Sequence, residues 1–193
     1  MIDFSLTDEQ RMLVEMTHDF VEKEMLPHEE TLERTDALPP ELAESLKKRA
    51  IELGLHACNL PEEVGGGGLD AVSVMLIEKE LGRTSLALAE CAHRPLNILA
   101  SCEGEQVTQF LEPTVRGEKR DCIAMTEPGA GSDLRGMKCK AERVGDDWVI
   151  NGEKHFISQA SVSDYCVLFA ATGSEAFEDQ TVKAPRKYIS AFL

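Results

Sequence analysis

The hydrophobic period of this chain changes once, near Gly117, and that change limits the fold more than any other feature. Before it, apolar residues recur at helical spacing: Leu13, Met16 and Phe20 in one segment, then Leu42, Leu46, Ala50 and Leu53 in the next. After it come short, partly alternating runs, "DCIAM", "KCKAERV", "DWVING", "KHFIS" and "YCVLFAAT", separated by turn residues. Helices first and strands afterwards predict an α+β chain, with an all-α unit over 1–119 and a β unit over 120–193.

Local signals place the boundaries. Thr7 and Gln10 make a T-x-x-Q capping box at the start of the first helix, and Pro27 is expected to close it. The second helix, within "PPELAESLKKRAIELG", has proline at its first turn and stops at Gly54. "NLPEEVGGGGLD" reads as a flexible turn, with no Gly-Lys-Ser/Thr behind its glycines to make a phosphate loop. "DAVSVMLIEKELG" is apolar on most faces and is expected deep in a bundle; "LALAECAHRPLNILAS" is expected to kink at Pro95. In the second half Asn151-Gly152 is the expected hairpin and the strands are expected to be antiparallel. "KYISAFL" reads as a last strand, leaving an incomplete sheet with an open edge.

Charge excludes some partners. The formal net charge is −15, from 35 acids against 20 bases, with no basic run, so nucleic acid and anionic membrane are not expected. Six cysteines stand far apart, without a C-x-x-C pair and without histidines at ligand spacing; buried thiols in a reducing compartment are expected, and no metal site. "MIDFSLTDEQ" has no signal-peptide pattern and no run has the length of a membrane span, so a cytoplasmic location is expected.

The stretch with the most chemical content is "CIAMTEPGAGSD", residues 122–133. Apolar residues lead into a Thr-Glu-Pro turn and a Gly-Ala-Gly-Ser loop, a strand that ends in exposed amides. Taken alone, such a stretch is a simple turn between strand and loop more often than a cofactor cradle.

Together with "LPEEVGGGGLD", "GEQVTQFLEPTVRGEKRDCIAMTEPGAGSD" and "WVINGEKHFIS", the chain resembles the acyl-CoA dehydrogenases along essentially all of its 193 residues. The resemblance implies their N-terminal helical domain and most of a middle β-domain of barrel or sandwich type. The C-terminal four-helix domain of that family is not represented. It also implies FAD as cofactor, with Ile123, Met125 and Thr126 along the flavin edge and Gly131 and Ser132 near its phosphates or the thioester substrate. Phe156, Ile157 and Ser158 would pack on the ring and bond near N5; the family usually carries Trp and Thr at the places of Phe156 and Ser158.

The implied reaction is α,β-dehydrogenation of an acyl-CoA thioester. The family's base is a Glu outside these residues, so no catalytic residue is assigned here, Glu127 included, and the chain alone is expected to be inactive. His93 and Arg94 sit where the acyl pocket would begin, although a solvated pair at a helix kink accounts for them more simply; residues 91–99 would help set acyl length, and Arg135, Lys138 and Lys140 are candidates for CoA phosphates or simply a solvated face. Implied partners are acyl-CoA, electron-transferring flavoprotein and further copies in a homotetramer. Two other readings are an acyl-CoA oxidase-like flavoenzyme and a non-catalytic chain that binds a full-length partner through its open sheet edge.

Overall fold

The computed structural model describes residues 5–92, 94–175 and 186–193, so His93 lies outside the described residues. It separates into two units, Met1–Glu118 and Lys119–Leu193.

The first unit is built from α1 (Asp8–Phe20), α2 (Glu29–Thr35), α3 (Pro40–Glu52), α4 (Ala71–Leu81), α5 (Leu86–Ala89) and α6 (Glu112–Val115). The capping box forms as the sequence predicts. Thr7 Oγ1 accepts from the Gln10 amide at 3.1 Å, and Gln10 Oε1 accepts from the Thr7 amide at 3.1 Å. Thr7→Ala should therefore cost about 1 kcal/mol, seen as a lower urea midpoint with an unchanged slope. Phe20, Val21, Met25, Leu46, Ala50, Val74, Ile77, Leu81 and Leu88 form the core of this unit.

Pro27 does not close the first helical run. A π-helical turn over Val21–Met25 and a 3-10 turn over Leu26–His28 carry the chain past it into α2. Proline lacks the N–H and its ring strikes the carbonyl four residues back. Widening the preceding turn, with the Leu26 amide donating to Val21 O, relieves that clash and keeps the direction. The same device recurs over Val107–Leu111, just ahead of Pro113. Pro95, by contrast, does not kink a helix: α5 ends at Ala89, and the next helical turn, Asn97–Ser101, is 3-10.

Two further expectations change. α4 is not deep in a bundle: Ser73, Val74, Ile77, Glu80 and Leu81 are buried, while Val72 and Met75 are exposed. The glycine turn is closely packed, not loose. The amides of Gly66, Gly67 and Gly68 donate to Pro61 O, Ala57 O and Leu60 O, and a Cβ on Gly66 would lie 2.3 Å from Leu60 O.

The second unit is a sheet of β1 (Asp121–Ala124), β2 (Lys140–Val144), β3 (Asp147–Asn151), β4 (Tyr165–Glu175) and β5 (Arg186–Phe192). It is mixed, not antiparallel throughout: β1 and β2 both run parallel to β4, whereas β2–β3 and β4–β5 are antiparallel. β5 pairs with β4 at Leu168 and Ala171, where β1 and β2 also pair, so β1 and β2 share the opposite side of β4. They act as two pieces of one strand, broken by the excursion over 125–139.

The hairpin turn falls at Gly145-Asp146, between the paired Val144 and Asp147, and not at Asn151-Gly152. "KHFIS" is not a strand either. Phe156 and Gln159 have φ of 55° and 64°, left-handed values that break extended geometry. The segment instead runs back beside β1 as an irregular tie, through His155 N to Thr126 O at 2.8 Å and Asp164 N to Arg120 O at 2.9 Å. Among the described residues no helix is long and apolar enough to cross a membrane, and no cluster of metal-ligating side chains forms.

Candidate functional site

The site grows from the break between β1 and β2. Leaving β1, the chain turns tightly at Pro128-Gly129. The Glu127 amide donates to Ala130 O at 2.9 Å, and the Ala130 amide donates to Glu127 O at 3.1 Å. Gly129, Gly131 and Ser132 are exposed. Among the described residues none accepts a hydrogen bond from the amides of Gly129, Gly131 or Ser132. A Cβ built on Gly129 or Gly131 would meet nothing within 4 Å, so the loop presents bare backbone to open space. Asp133 then starts a 3-10 turn over Leu134–Gly136.

Glu127 is the keystone of this excursion. Its carboxylate accepts from the Lys138 amide at 2.6 Å, the Cys139 amide at 2.9 Å and Lys154 Nζ at 2.9 Å. Lys154 Nζ also donates to Met125 O at 3.0 Å. Both side chains are buried, 3% exposed for Glu127 and 8% for Lys154. Burial pushes the Glu127 carboxyl up, but the bonds from Lys138, Lys154 and Cys139 outweigh it and hold the group below the usual carboxylate range. A carboxylate engaged in this way organises backbone; it is not presented to a ligand.

The tie through Lys154 and His155 brings the second half of the site to the first. Phe156 follows directly, 81% exposed and left-handed, its ring stacked on His155 with centroids 3.6 Å apart and planes 26° from parallel. A bulky residue in this conformation is strained, and such strain gathers at ligand sites.

The sequence-predicted residues are placed as follows. Ile123 is exposed on β1, while Met125 and Thr126 are half-buried where the strand ends. The His155 amide joins Thr126 to the neighbourhood of Phe156. Ile157 is turned elsewhere: it lines a groove with Cys122 and Ala124, on the other face of β1 from Ile123. Ser158 is exposed at the head of a turn over 158–162.

The basic residues do not gather. Arg135 is held by Asp133 through Nε and a second guanidinium nitrogen, both at 2.8 Å; those side-chain bonds and the Arg135 amide bring the Asp133 carboxyl down to about 2. The Lys138 side chain is exposed, and Lys140 borders a separate cleft with Lys187 and Thr172. In the helical unit Arg94 pairs with Glu78 at 2.6 Å.

Sequence reasoning missed Lys154 and His155. Nothing local marks either one; Lys154 acquires its role only because it pairs with an acid 27 residues away.

The fold and site thus define a helical unit joined to a sheet unit in which free backbone amides and an exposed aromatic are tied side by side. A planar group carrying negative charge is the chemistry that such a set receives. Comparison with known proteins gives the family. The profile described as "Acyl-CoA dehydrogenase, N-terminal domain" matches residues 7–118, and "Acyl-CoA dehydrogenase, middle domain" matches residues 122–189. The chain is 38% identical over 179 residues to a probable acyl-CoA dehydrogenase of Bacillus subtilis, YngJ, covering 89% of this chain and 46% of that protein. It is 34% identical over 193 residues to the rat mitochondrial short-chain specific acyl-CoA dehydrogenase, covering 97% of this chain and 44% of that one. Among solved structures, an acyl-CoA dehydrogenase from Bacillus anthracis complexed with FAD superposes with a TM-score of 0.72 at 30% identity, covering 99% of this chain and 32% of that chain. The chain belongs to the acyl-CoA dehydrogenase family. It spans about half the length of the curated relatives it matches.

Proposed function

We propose that these residues are the helical and middle parts of an FAD-dependent acyl-CoA dehydrogenase, which removes hydrogens from Cα and Cβ of an acyl-CoA thioester in the cytoplasm. The observation that carries the reading is the pairing of a bare, exposed amide loop with a strained, exposed Phe156. Six free cysteines agree with a reducing compartment.

In this reading the ends of β1 at Ile123, Met125 and Thr126 serve the pyrimidine edge of the isoalloxazine, where amides and a hydroxyl meet developing negative charge without importing water. Gly131 and Ser132 serve the phosphates or the thioester, Phe156 lies against the ring and Ser158 offers a hydroxyl near N5, while Ile157, turned into the groove on the other face of β1, has no part in it. When bound, the flavin supplies the acceptor for the Cβ hydrogen. Proton removal from Cα needs a free carboxylate, and Glu127, occupied by three donors, is not one. The base, the chain-length pocket, electron-transferring flavoprotein as acceptor and a homotetrameric assembly are proposed for the protein of which these two domains are part.

Equilibrium titration of the chain with FAD, followed by flavin fluorescence, tests this. Bound flavin should approach one per chain. Phe156→Gly should weaken binding about tenfold, by loss of stacking, while raising unfolding stability by about 1 kcal/mol, because glycine accepts the left-handed φ. No flavin retained at excess FAD, or a Phe156→Gly protein that binds as tightly as wild type, refutes it.

A further inference from the structure

Three of the six cysteines, Cys122, Cys139 and Cys166, line the same open groove on one face of the sheet, a cavity of about 560 Å³ walled by Ala124, Ile150, Ile157 and Leu168. Two of them are neighbours by register. β1 and β4 run parallel with Cys122 opposite Cys166 and Ala124 opposite Leu168, and all four residues face the groove. In-register residues on adjacent strands point to the same side, with strands about 4.8 Å apart; a disulfide takes Cα separations of about 4.4–6.8 Å. We propose that Cys122 and Cys166 are a redox-active dithiol that peroxides convert to an intramolecular disulfide joining β1 to β4.

The chemistry follows from their difference in exposure. Cys122 is buried and Cys166 is half-buried at the groove, so Cys166 meets the oxidant first. Its sulfur attacks the hydroperoxide, the O–O bond breaks, and Cys166 becomes a sulfenic acid as one alcohol, or water from hydrogen peroxide, leaves. The Cys122 sulfur then displaces the hydroxyl as water and forms the S–S bond. The thiols together give up two electrons and two protons, and the peroxide takes both. Burial, followed by the neighbouring Cys122, pushes the Cys166 thiol up, so the reaction quickens as pH rises towards that of the free thiolate.

Parallel in-register neighbours hold their Cβ atoms nearly as far apart as their Cα atoms, so the bond is strained and easily reduced, as labile disulfides are. Cys122 lies three residues before Met125, and the disulfide therefore pins the strand from which the amide cradle departs.

Peptide mapping of the native chain after brief hydrogen peroxide treatment decides the matter, and it needs no flavin. The expected product is a Cys122–Cys166 linked peptide, lighter by two hydrogens and restored by dithiothreitol. Phenylarsine oxide, which bridges two close thiols, provides a second reading without oxidation. It should bind wild type about a hundredfold more tightly than Cys122→Ala or Cys166→Ala, each of which leaves one thiol. A link to Cys139 or another cysteine, both thiols still free after oxidation, or equal arsenical binding by wild type and variants would overturn the proposal.

Discussion

Glu127→Ala should destabilise the sheet unit by about 3–5 kcal/mol, the cost of leaving a buried charge without its partner. The reason lies in what remains after the carboxylate is gone. Lys154 keeps an ammonium that is 8% exposed, with Met125 O as its other acceptor. The amides of Lys138 and Cys139 lose the acceptor that holds the end of the 125–139 excursion. Each buried orphan of that kind adds about 1–3 kcal/mol, although the terms overlap. Lys154→Met added to Glu127→Ala should recover part of the loss, since it removes the stranded cation; the double variant then falls short of the sum of the singles. Trp148, the only tryptophan of the chain, stands on β3 beside Phe192 and reports this unit's unfolding by its fluorescence. Additive losses in that cycle would show that the pair is not coupled.

The same group sets an acid limit. Its folded carboxyl titrates below the value of an unfolded glutamate, about 4.3, so below that pH the unfolded chain binds more protons than the folded one. The stabilisation is complete above about pH 4.3 and drains away as pH falls through the lower, folded value. Urea midpoints of wild type should therefore drop more steeply between about pH 5 and 3 than those of Glu127→Gln, which has no proton to take up. Asp133 titrates in the same direction, but as an exposed side chain paired with Arg135 it adds little to this slope.

What the sequence made legible was local. The Thr7–Gln10 capping box, a proline in the first turn of α3 and the stop before Gly54 each depend on residues within one turn of one another, and all three formed. The strand-end loop at 125–133 was also legible, because a Thr-Glu-Pro-Gly run leaves few ways to continue a ladder. Features set at long range were not. Strand direction in β1 and β2 depends on which side of β4 each takes, which no local pattern records. Asn151-Gly152 carries a strong turn signal, yet Gly152 is there because the backbone passes close to Cys139. Proline as a helix stop failed at Pro27 because a π turn absorbs the clash, and the apolar excess of α4 was spent on an exposed flank. Lys154 looks like an ordinary surface charge until the fold buries it against Glu127.

Gly152→Ala should be nearly as damaging as the loss of Glu127, at about 3 kcal/mol, because two penalties coincide there. The backbone sits at φ 153°, a conformation open to glycine and strained for alanine. The new Cβ would also lie 2.5 Å from Cys139 Cα and 2.7 Å from its Cβ, distances that real carbon atoms do not keep, so one strand end must move. Cys139 is fixed by its amide bond to Glu127 and by the Ala171 amide donating to its carbonyl at 2.9 Å, and cannot yield alone. The movement therefore passes to Lys154, two residues beyond Gly152, and loosens the tie that sets Phe156 beside Thr126. Gly145→Ala separates the two penalties: φ is 66° there, but nothing lies within 4 Å of the added carbon, so only the dihedral cost of about 1–2 kcal/mol applies. Paired urea unfolding curves should thus place Gly152→Ala well below Gly145→Ala, with amide exchange quickened at Cys139 and His155 in the first variant alone. Equal losses would mean that dihedral strain, and not the close approach to Cys139, decides why glycine stands at 152.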